Sequence, residues 1–307
     1  MKHSIPHRRL GRLNRQVSEF GLGCAQLASH MYGRENSEAN AIAVVQRALE
    51  LGIDYLDTSP GYGESEARLG KALRGVPREA YFLATKTGTG TRPQDYSREG
   101  TLRSVEKSLH LLGTDYLDLV QIHDPDVAGF EQALTTGGAL EALLELKAQK
   151  VIGGIGLGVR NHDFHRRAIA HEAFDTILTY GDFNLVHQSA RADLFEAARQ
   201  NDKAIILGSS VLMGYLTDRP WDELLREHGA IGQESELQRA RQVRQWAEEH
   251  NLSVLHLAIQ YVLREARLST VLVGGSRVDE VEQNVSAATT PLPDDIWRQL
   301  QEDLGIV

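Results

Sequence analysis

Along the chain, short runs of apolar residues alternate with longer stretches whose apolar positions recur every three or four residues. The short runs fall at 19–24, 53–57, 81–86, 117–122, 151–157, 175–180, 203–208 and 269–273. They are rich in Val, Ile, Leu and Tyr and are too short to be helices, so they read as strands. Helical spacing runs through Ala41 to Leu51, Glu66 to Leu73, Thr101 to Leu112, Gly138 to Ala148, Ser189 to Gln200 and Glu236 to His250. Strands that alternate with helices in this way predict an α/β fold, a (β/α)8 TIM barrel. Residues 1–307 are expected to form one domain, since no Pro/Gly/Ser-rich linker or low-complexity tract divides them. The alternation breaks in three places. Residues 8–17 read as a small β-hairpin ahead of the first barrel strand. The stretch 209–235, after the seventh strand, is long enough to be a functional lid. Pro291-Leu-Pro-Asp294 opens a final helix, about 294–304, beyond the eighth unit.

Composition leaves this picture intact. The chain has 307 residues, 41% hydrophobic and 24% charged. A barrel of about 250 residues plus insertions fits that length, and disorder does not fit that composition. The net charge of −9 argues against a nucleic-acid partner. No run approaches the roughly 20 apolar residues of a membrane helix, so no membrane partner is expected. The first residues lack the apolar stretch of a signal peptide, and a soluble cytoplasmic protein is the expectation. The lone Cys24 cannot form an intrachain disulfide and reads as a small buried residue.

The strand ends carry the candidate chemistry. Asp57 ends the run Gly-Ile-Asp-Tyr-Leu-Asp (52–57), and Tyr62 follows within Asp57-Thr-Ser-Pro-Gly-Tyr-Gly-Glu-Ser-Glu66. Lys86 closes Ala-Tyr-Phe-Leu-Ala-Thr-Lys (80–86), and His123 closes Tyr-Leu-Asp-Leu-Val-Gln-Ile-His (116–123). In a parallel barrel the carboxyl ends of consecutive strands surround one mouth. A phenol is a poor proton donor or acceptor at neutral pH, but an ammonium beside it stabilises the phenolate. A carboxylate keeps that ammonium charged and in place, and an imidazole can orient a carbonyl or share the proton transfer. Such a group suits protonation of an oxygen gaining negative charge, as in carbonyl reduction. The hydride must then come from a cofactor. Each residue also has a plainer reading. Asp57 could cap the following helix, Tyr62 could be a turn aromatic, Lys86 a surface lysine, and His123-Asp124 a loop pair.

These motifs resemble the aldo-keto reductase superfamily, and the resemblance covers nearly the whole chain. It extends to the opening hairpin, Gly21-Leu-Gly23, Gly153-Gly-Ile-Gly156 and Gly274-Gly-Ser-Arg-Val-Asp-Glu-Val-Glu-Gln-Asn284. It implies that Tyr62 is the general acid/base and that Lys86 tunes it. It further implies that Asp57 pairs with Lys86 and that His123 orients the carbonyl. The family binds nicotinamide dinucleotide without a Rossmann fingerprint. Gly23 and Asp57 would approach the nicotinamide, and Asn161 would hold the carboxamide. The family's Ser before that Asn is here Arg160, its sixth-strand Gln is Tyr180, and its stacking aromatic is Gly208. The pyrophosphate would lie along Ser209, Ser210, Leu212 and Gly214. The adenosine end would meet Gly274, Ser276, Arg277, Glu280, Gln283 and Asn284. A helix N-terminus near 277 offers amides to a phosphate. Ser276 and Arg277 could hold a 2′-phosphate while Glu280, read as a solvated helix residue, opposes it. The balance leans to NADP(H), with NAD(H) close behind.

His123-Asp124-Pro125-Asp126 and Leu178-Thr-Tyr180 are similar to the aldose 1-dehydrogenase branch (L-galactose, L-fucose and D-threo-aldose dehydrogenases), near pyridoxal dehydrogenase. That branch implies a sugar oxidised at its anomeric carbon to a lactone, or an aldehyde reduced in reverse. His30, Tyr32, Asp124, Arg160, Tyr180, Met213 and Trp221 are the candidate pocket walls. Other readings stay open. A general NADPH-dependent aldehyde or ketone reductase fits the same residues. A Schiff-base aldolase would need Lys86 neutral and unpaired. A metal hydrolase on His123, Asp124 and Asp57 lacks a His-x-His pair at a strand end. A non-catalytic binding subunit would leave the four reactive groups without a task.

Overall fold

The computed structural model describes residues 5–31, 34–228 and 234–306. The chain opens with an antiparallel hairpin, β1 (His7–Arg9) and β2 (Gln16–Ser18), joined through a tight turn at Gly11–Leu13. β3 (Phe20–Gly23) is the first barrel strand. β4 (His30–Met31) and β5 (Arg34–Glu35) make a two-stranded ribbon outside the barrel.

Helix and strand then alternate: α1 (Glu38–Glu50), β6 (Tyr55–Asp57), α2 (Ser65–Ala72), β7 (Phe82–Thr87), α3 (Arg98–Leu112) and β8 (Leu117–His123). Two short helices, α4 (Val127–Leu134) and α5 (Ala139–Ala148), precede β9 (Ile152–Gly158). Next come α6 (His162–Ala170), β10 (Thr176–Tyr180), α7 (Glu196–Gln200) and β11 (Ala204–Gly208). The chain continues with α8 (Trp221–His228), α9 (Glu234–Glu249), α10 (Val254–Leu263), β12 (Thr270–Val273), α11 (Val278–Thr289) and α12 (Asp294–Leu304). The eight strands β3 and β6–β12 pair in parallel and close into a barrel in the order β10-β11-β12-β3-β6-β7-β8-β9.

Each expected strand is present within one or two residues of its expected ends. Two helices, α1 and α3, start three residues earlier than the apolar spacing indicated, because polar caps set them. Ser37 accepts from the Asn40 amide at 3.2 Å ahead of α1, and Ser97 accepts from the Gly100 amide at 3.1 Å ahead of α3. The expected helix 189–200 is divided: a wider π turn over Arg191–Phe195 runs into α7. The long stretch after the seventh strand holds a short turn at Leu212–Gly214 and the amphipathic α8.

Two apolar cores result. The larger fills the layer between the sheet and the helices. The smaller fills the barrel itself, with Tyr55, Phe82, Leu119, Leu178, Ile206 and Leu272. Tyr55 and Phe82 stack there with ring centroids 4.9 Å apart. Leu10 and Val17 of the hairpin join the inner core, so β1 and β2 form its floor. With the floor at the amino ends of the strands, the open mouth lies at their carboxyl ends.

Candidate active site

Strand register brings the four reactive residues to that mouth. Asp57 pairs with Ala84 across β6 and β7, Lys86 with Gln121 across β7 and β8, and His123 with Gly158 across β8 and β9. Lys86 is 1% exposed, the least expected setting for an ammonium. Its Nζ donates to Asp57 Oδ1 and, at 2.8 Å, to the Thr58 carbonyl. Asp57 Oδ2 accepts from Gln121 Nε2 at 2.9 Å. Asp57 therefore does not cap α2; both its oxygens are committed inside the barrel. Nζ also lies 4.8 Å from the centre of the Tyr62 ring and is hydrogen-bonded to that side chain. Burial works against the ammonium, but Asp57 and Tyr62 more than offset it, and the Lys86 pKa is raised. A lysine held protonated in this way is no amine nucleophile, which removes the basis of the Schiff-base reading.

The Tyr62 and His123 rings meet edge to face, 5.9 Å apart. His123 Nδ1 lies 3.0 Å from Thr89 Oγ1 and 3.3 Å from Ser59 Oγ. Its Nε2 lies 3.3 Å from Asp124 Oδ2. Burial, assisted by the Lys86 charge, drives the His123 pKa well below its usual value, so the ring is neutral at pH 7. The two hydroxyls in reach of Nδ1 can both donate to it, which suits a neutral ring that carries its proton on Nε2. Tyr96 donates to the His123 carbonyl at 2.7 Å and fixes the strand end.

The sequence reading gives Gln121, Ser59 and Thr89 no role in the site. Gln121 was legible: it precedes His123 by two positions and so shares its inward face. Ser59 and Thr89 lie in loops just beyond Asp57 and Lys86, where no periodicity marks the direction of a side chain.

Around this centre the expected contacts divide. Tyr180 pairs with Gly208, and a Cβ on Gly208 would sit 3.2 Å from the Tyr180 Cβ. The Tyr180 side chain thus takes space beside the position where the family has an aromatic and this chain has none. The Tyr180 hydroxyl donates to Asp124 at 2.7 Å. Asn161 is drawn into local structure, its Oδ1 accepting from the Asp163 amide at 2.9 Å as the cap of α6. Arg160 is exposed and reaches the Gly181 carbonyl at 3.4 Å. The Trp221 ring packs at a tilt against Tyr215, centroids 4.9 Å apart, with Arg241 of α9 over it. His30 is exposed on the outer ribbon, Gln283 is exposed on α11, and Tyr32 lies outside the described residues.

One expectation is overturned. Glu280 is not a solvated helix residue; it is partly buried, and its carboxylate accepts from the Ser276 amide at 2.8 Å and the Ser276 hydroxyl at 3.1 Å. Arg277 is turned to Asp279, at 2.9 and 3.0 Å. Asn284 donates to the Gly274 carbonyl at 3.2 Å.

Residues 19–303 match the model of the aldo/keto reductase family. The chain is similar to L-galactose dehydrogenase of Arabidopsis thaliana, at 33% identity over 93% of this chain and 88% of the relative. It is also similar to D-threo-aldose 1-dehydrogenase of a Pseudomonas species, at 29% identity over 93% of this chain and 94% of the relative. The holo form of the aldo-keto reductase AKR11C1 from Bacillus halodurans superposes with a TM-score of 0.82. That structure is 27% identical, over 97% of this chain and 96% of its own. This chain belongs to the aldo/keto reductase family. It is an NAD(P)-dependent oxidoreductase. Among the described residues, no helix is long and apolar enough to cross a membrane.

The mouth fits a nicotinamide dinucleotide. Beyond β11, Ser209, Leu212 and Met213 all take left-handed backbone angles (φ 54, 47 and 53). That strain is typical of loops shaped around a ligand. In their midst the Ser210 hydroxyl is buried without a hydrogen-bond partner among the described residues. Gly23 and Gly274 lie side by side at the ends of β3 and β12, where a Cβ on Gly23 would come 3.7 Å from the Gly274 amide. An extended ligand would lie along the strip from Gly23 past the Ser210 hydroxyl to Gly274, with Ser276 beyond it already donating to Glu280.

Proposed function

We propose that this protein oxidises the anomeric hydroxyl of an aldose to a lactone, with Tyr62 as the group that takes the proton. The observation that carries this reading is the Asp57–Lys86 pair set against Tyr62 at the barrel mouth. Tyr62 must hold negative charge to accept a proton, and a protonated ammonium in a nearly water-free site stabilises that charge far more than it would in water. Asp57 keeps Lys86 protonated, and Gln121 keeps Asp57 from rotating away. His123, neutral and protonated on Nε2, directs a donor at the reacting oxygen without adding a charge. When bound along the strip, the dinucleotide supplies the hydride acceptor at the sugar carbon. In reverse, Tyr62 returns the proton to the oxygen of an aldehyde.

The relatives named for L-galactose and D-threo-aldoses support a sugar as substrate. Asp124, Tyr180 and Arg160 give the mouth a polar side suited to hydroxyls. For the cofactor, the seating of Glu280 on Ser276 reverses the leaning drawn from sequence. A 2′-phosphate would have to displace one carboxylate from Ser276 and another from Arg277. A ribose hydroxyl would instead donate to Glu280. These contacts support NAD(H).

The test is to follow reduced-nicotinamide absorbance with NAD⁺ and NADP⁺ across a panel of aldoses, and with NADH and NADPH across simple aldehydes. Oxidation of an aldose with NAD⁺ is expected. Absence of sugar oxidation, with aldehyde reduction intact, would favour the general reductase and sink the aldose reading.

A further inference from the structure

Asp124 has no part in the proton chemistry assigned above, yet the fold holds it with unusual care. Its backbone is left-handed at φ 43, an uncommon conformation for a residue with a side chain. The strained residue is pinned by its amide, which donates to the Gly158 carbonyl at 2.9 Å. Strain kept at a ligand-facing strand end marks a side chain that must point one way. One oxygen accepts from the Tyr180 hydroxyl at 2.7 Å, and the other lies 3.3 Å from His123 Nε2. The side chain is 37% exposed, whereas His123 beside it is 9% exposed. A carboxylate has about four lone-pair sites, and these two neighbours leave two for a ligand. No Lys or Arg lies within ion-pair distance of it among the described residues. The charge is therefore solvated or is met by a donor that binds.

Position then sets the chemistry. His123 Nε2 faces the reacting oxygen in the proposed reaction. The neighbouring oxygens of a 1,2-diol are separated by about the length of a hydrogen bond. Asp124 Oδ2 lies 3.3 Å from His123 Nε2, close to that spacing, so oxygens held by the two groups fit on adjacent carbons. We propose that Asp124 is a specificity-determining residue. Its carboxylate accepts a hydrogen bond from the hydroxyl next to the reacting carbon, so the site selects aldoses and α-hydroxyaldehydes over carbonyl compounds lacking that hydroxyl. Tyr180 aims the carboxylate and keeps one of its oxygens occupied. The proposal rests on the reading of the mouth given above.

The test compares substrates that differ by that one hydroxyl. D-Arabinose and 2-deoxy-D-ribose form such a pair for oxidation, and lactaldehyde and propanal form one for reduction. Wild-type enzyme is expected to prefer the hydroxylated member by about ten- to a hundredfold in kcat/KM, the range for a hydrogen bond to a charged group. In Asp124→Ala that ratio collapses to within about threefold, chiefly through KM, because the contact is made equally in ground and transition states. Asp124→Asn keeps one acceptor oxygen and turns the other into an NH2 donor, so it is expected to fall between. It also serves if the alanine variant does not fold. A residue that only held His123 in place would lower both members of a pair alike. An equal loss for both, an unchanged ratio in the variants, or no preference in the wild type overturns the proposal. If the wild type oxidises no sugar yet reduces aldehydes, the aldose reading has failed, and the lactaldehyde–propanal ratio still decides the role of Asp124.

Discussion

At the scale of single residues, the site turns on how Lys86 is satisfied. An ammonium with 1% exposure is tolerable only while Asp57, the Thr58 carbonyl and Tyr62 surround it. Removing its charge in Lys86→Met would leave Asp57 buried with Gln121 as its remaining donor. Breaking a buried pair from one side costs about 3–5 kcal/mol, so the variant should unfold at clearly lower denaturant as well as lose activity. Tyr62→Phe makes a different prediction. Tyr62 is only partly buried, and its ring can stay in place, so stability should change little. Turnover should fall by about 10²–10⁴-fold, the share ascribed to a positioned acid or base. Cofactor binding, measured by quenching of intrinsic fluorescence, should persist. Wild-type turnover in Tyr62→Phe would remove the proton-transfer role. These residues were legible because each ends an apolar strand with a polar group. Gln121 and Asp124 lie on the same strand end, but what they do depends on partners from β6 and β10, which no local pattern links to them.

At the scale of elements, helix ends carry the prediction on cofactor choice. Glu280, in the first turn of α11, reaches back and accepts from the Ser276 amide and hydroxyl just ahead of the helix, donors that an anion would otherwise use. Glu280→Gln removes the competing charge and should raise the NADP⁺ to NAD⁺ ratio of kcat/KM by about tenfold or more, on the scale of one charged hydrogen bond. An unchanged ratio would mean that the phosphate is excluded by something other than this carboxylate. The sequence placed Glu280 on a solvated face because helical spacing cannot foresee a side chain folding back over its own N-terminus.

Helix α6 carries a second expectation, concerning pH. His165 is fully buried, 2.7 Å from the Val159 carbonyl, and burial lowers its pKa to about 4 from 6.5. Below pH 6.5 the unfolded chain binds this proton and the folded chain does not, so stability is complete above 6.5 and is lost toward pH 4. At 1.36 kcal/mol per unit, the loss reaches about 3 kcal/mol, with His123 adding in the same direction. Denaturant midpoints measured from pH 7 to 4.5 should fall for the wild type and fall less for His165→Gln.

At the scale of the whole molecule, floor and mouth are separate. The alternation of strands and helices revealed the barrel, because both faces of each strand must be covered and the pattern records that demand. It could show the hairpin only as a hairpin. That β1 and β2 close the barrel depends on Leu10 and Val17 joining one cluster with Ala204 and Ile206, almost two-thirds of the chain away. Gly11 makes the approach possible. Its φ is +47, and a Cβ there would come within 2.5 Å of the Ala204 amide. The Arg12 amide then donates to the Asp202 carbonyl at 2.9 Å, fastening the turn to the start of β11.

Leu10 is fully buried at this floor, whereas Asp57, Lys86 and His123 lie at the carboxyl ends of their strands, the opposite end of the barrel. Leu10→Ala should therefore cost about 2–5 kcal/mol of stability, as for other large-to-small changes in a core. Because the change lies at the far end of the strands, kcat and KM should stay within about twofold of wild type wherever the variant is folded. Denaturant unfolding and steady-state kinetics on the same preparation separate the two quantities. A parallel loss of kcat at temperatures well below unfolding would mean that the inner core transmits its packing to the mouth. The strand ends would then be held in register by the floor as well as by their own hydrogen bonds.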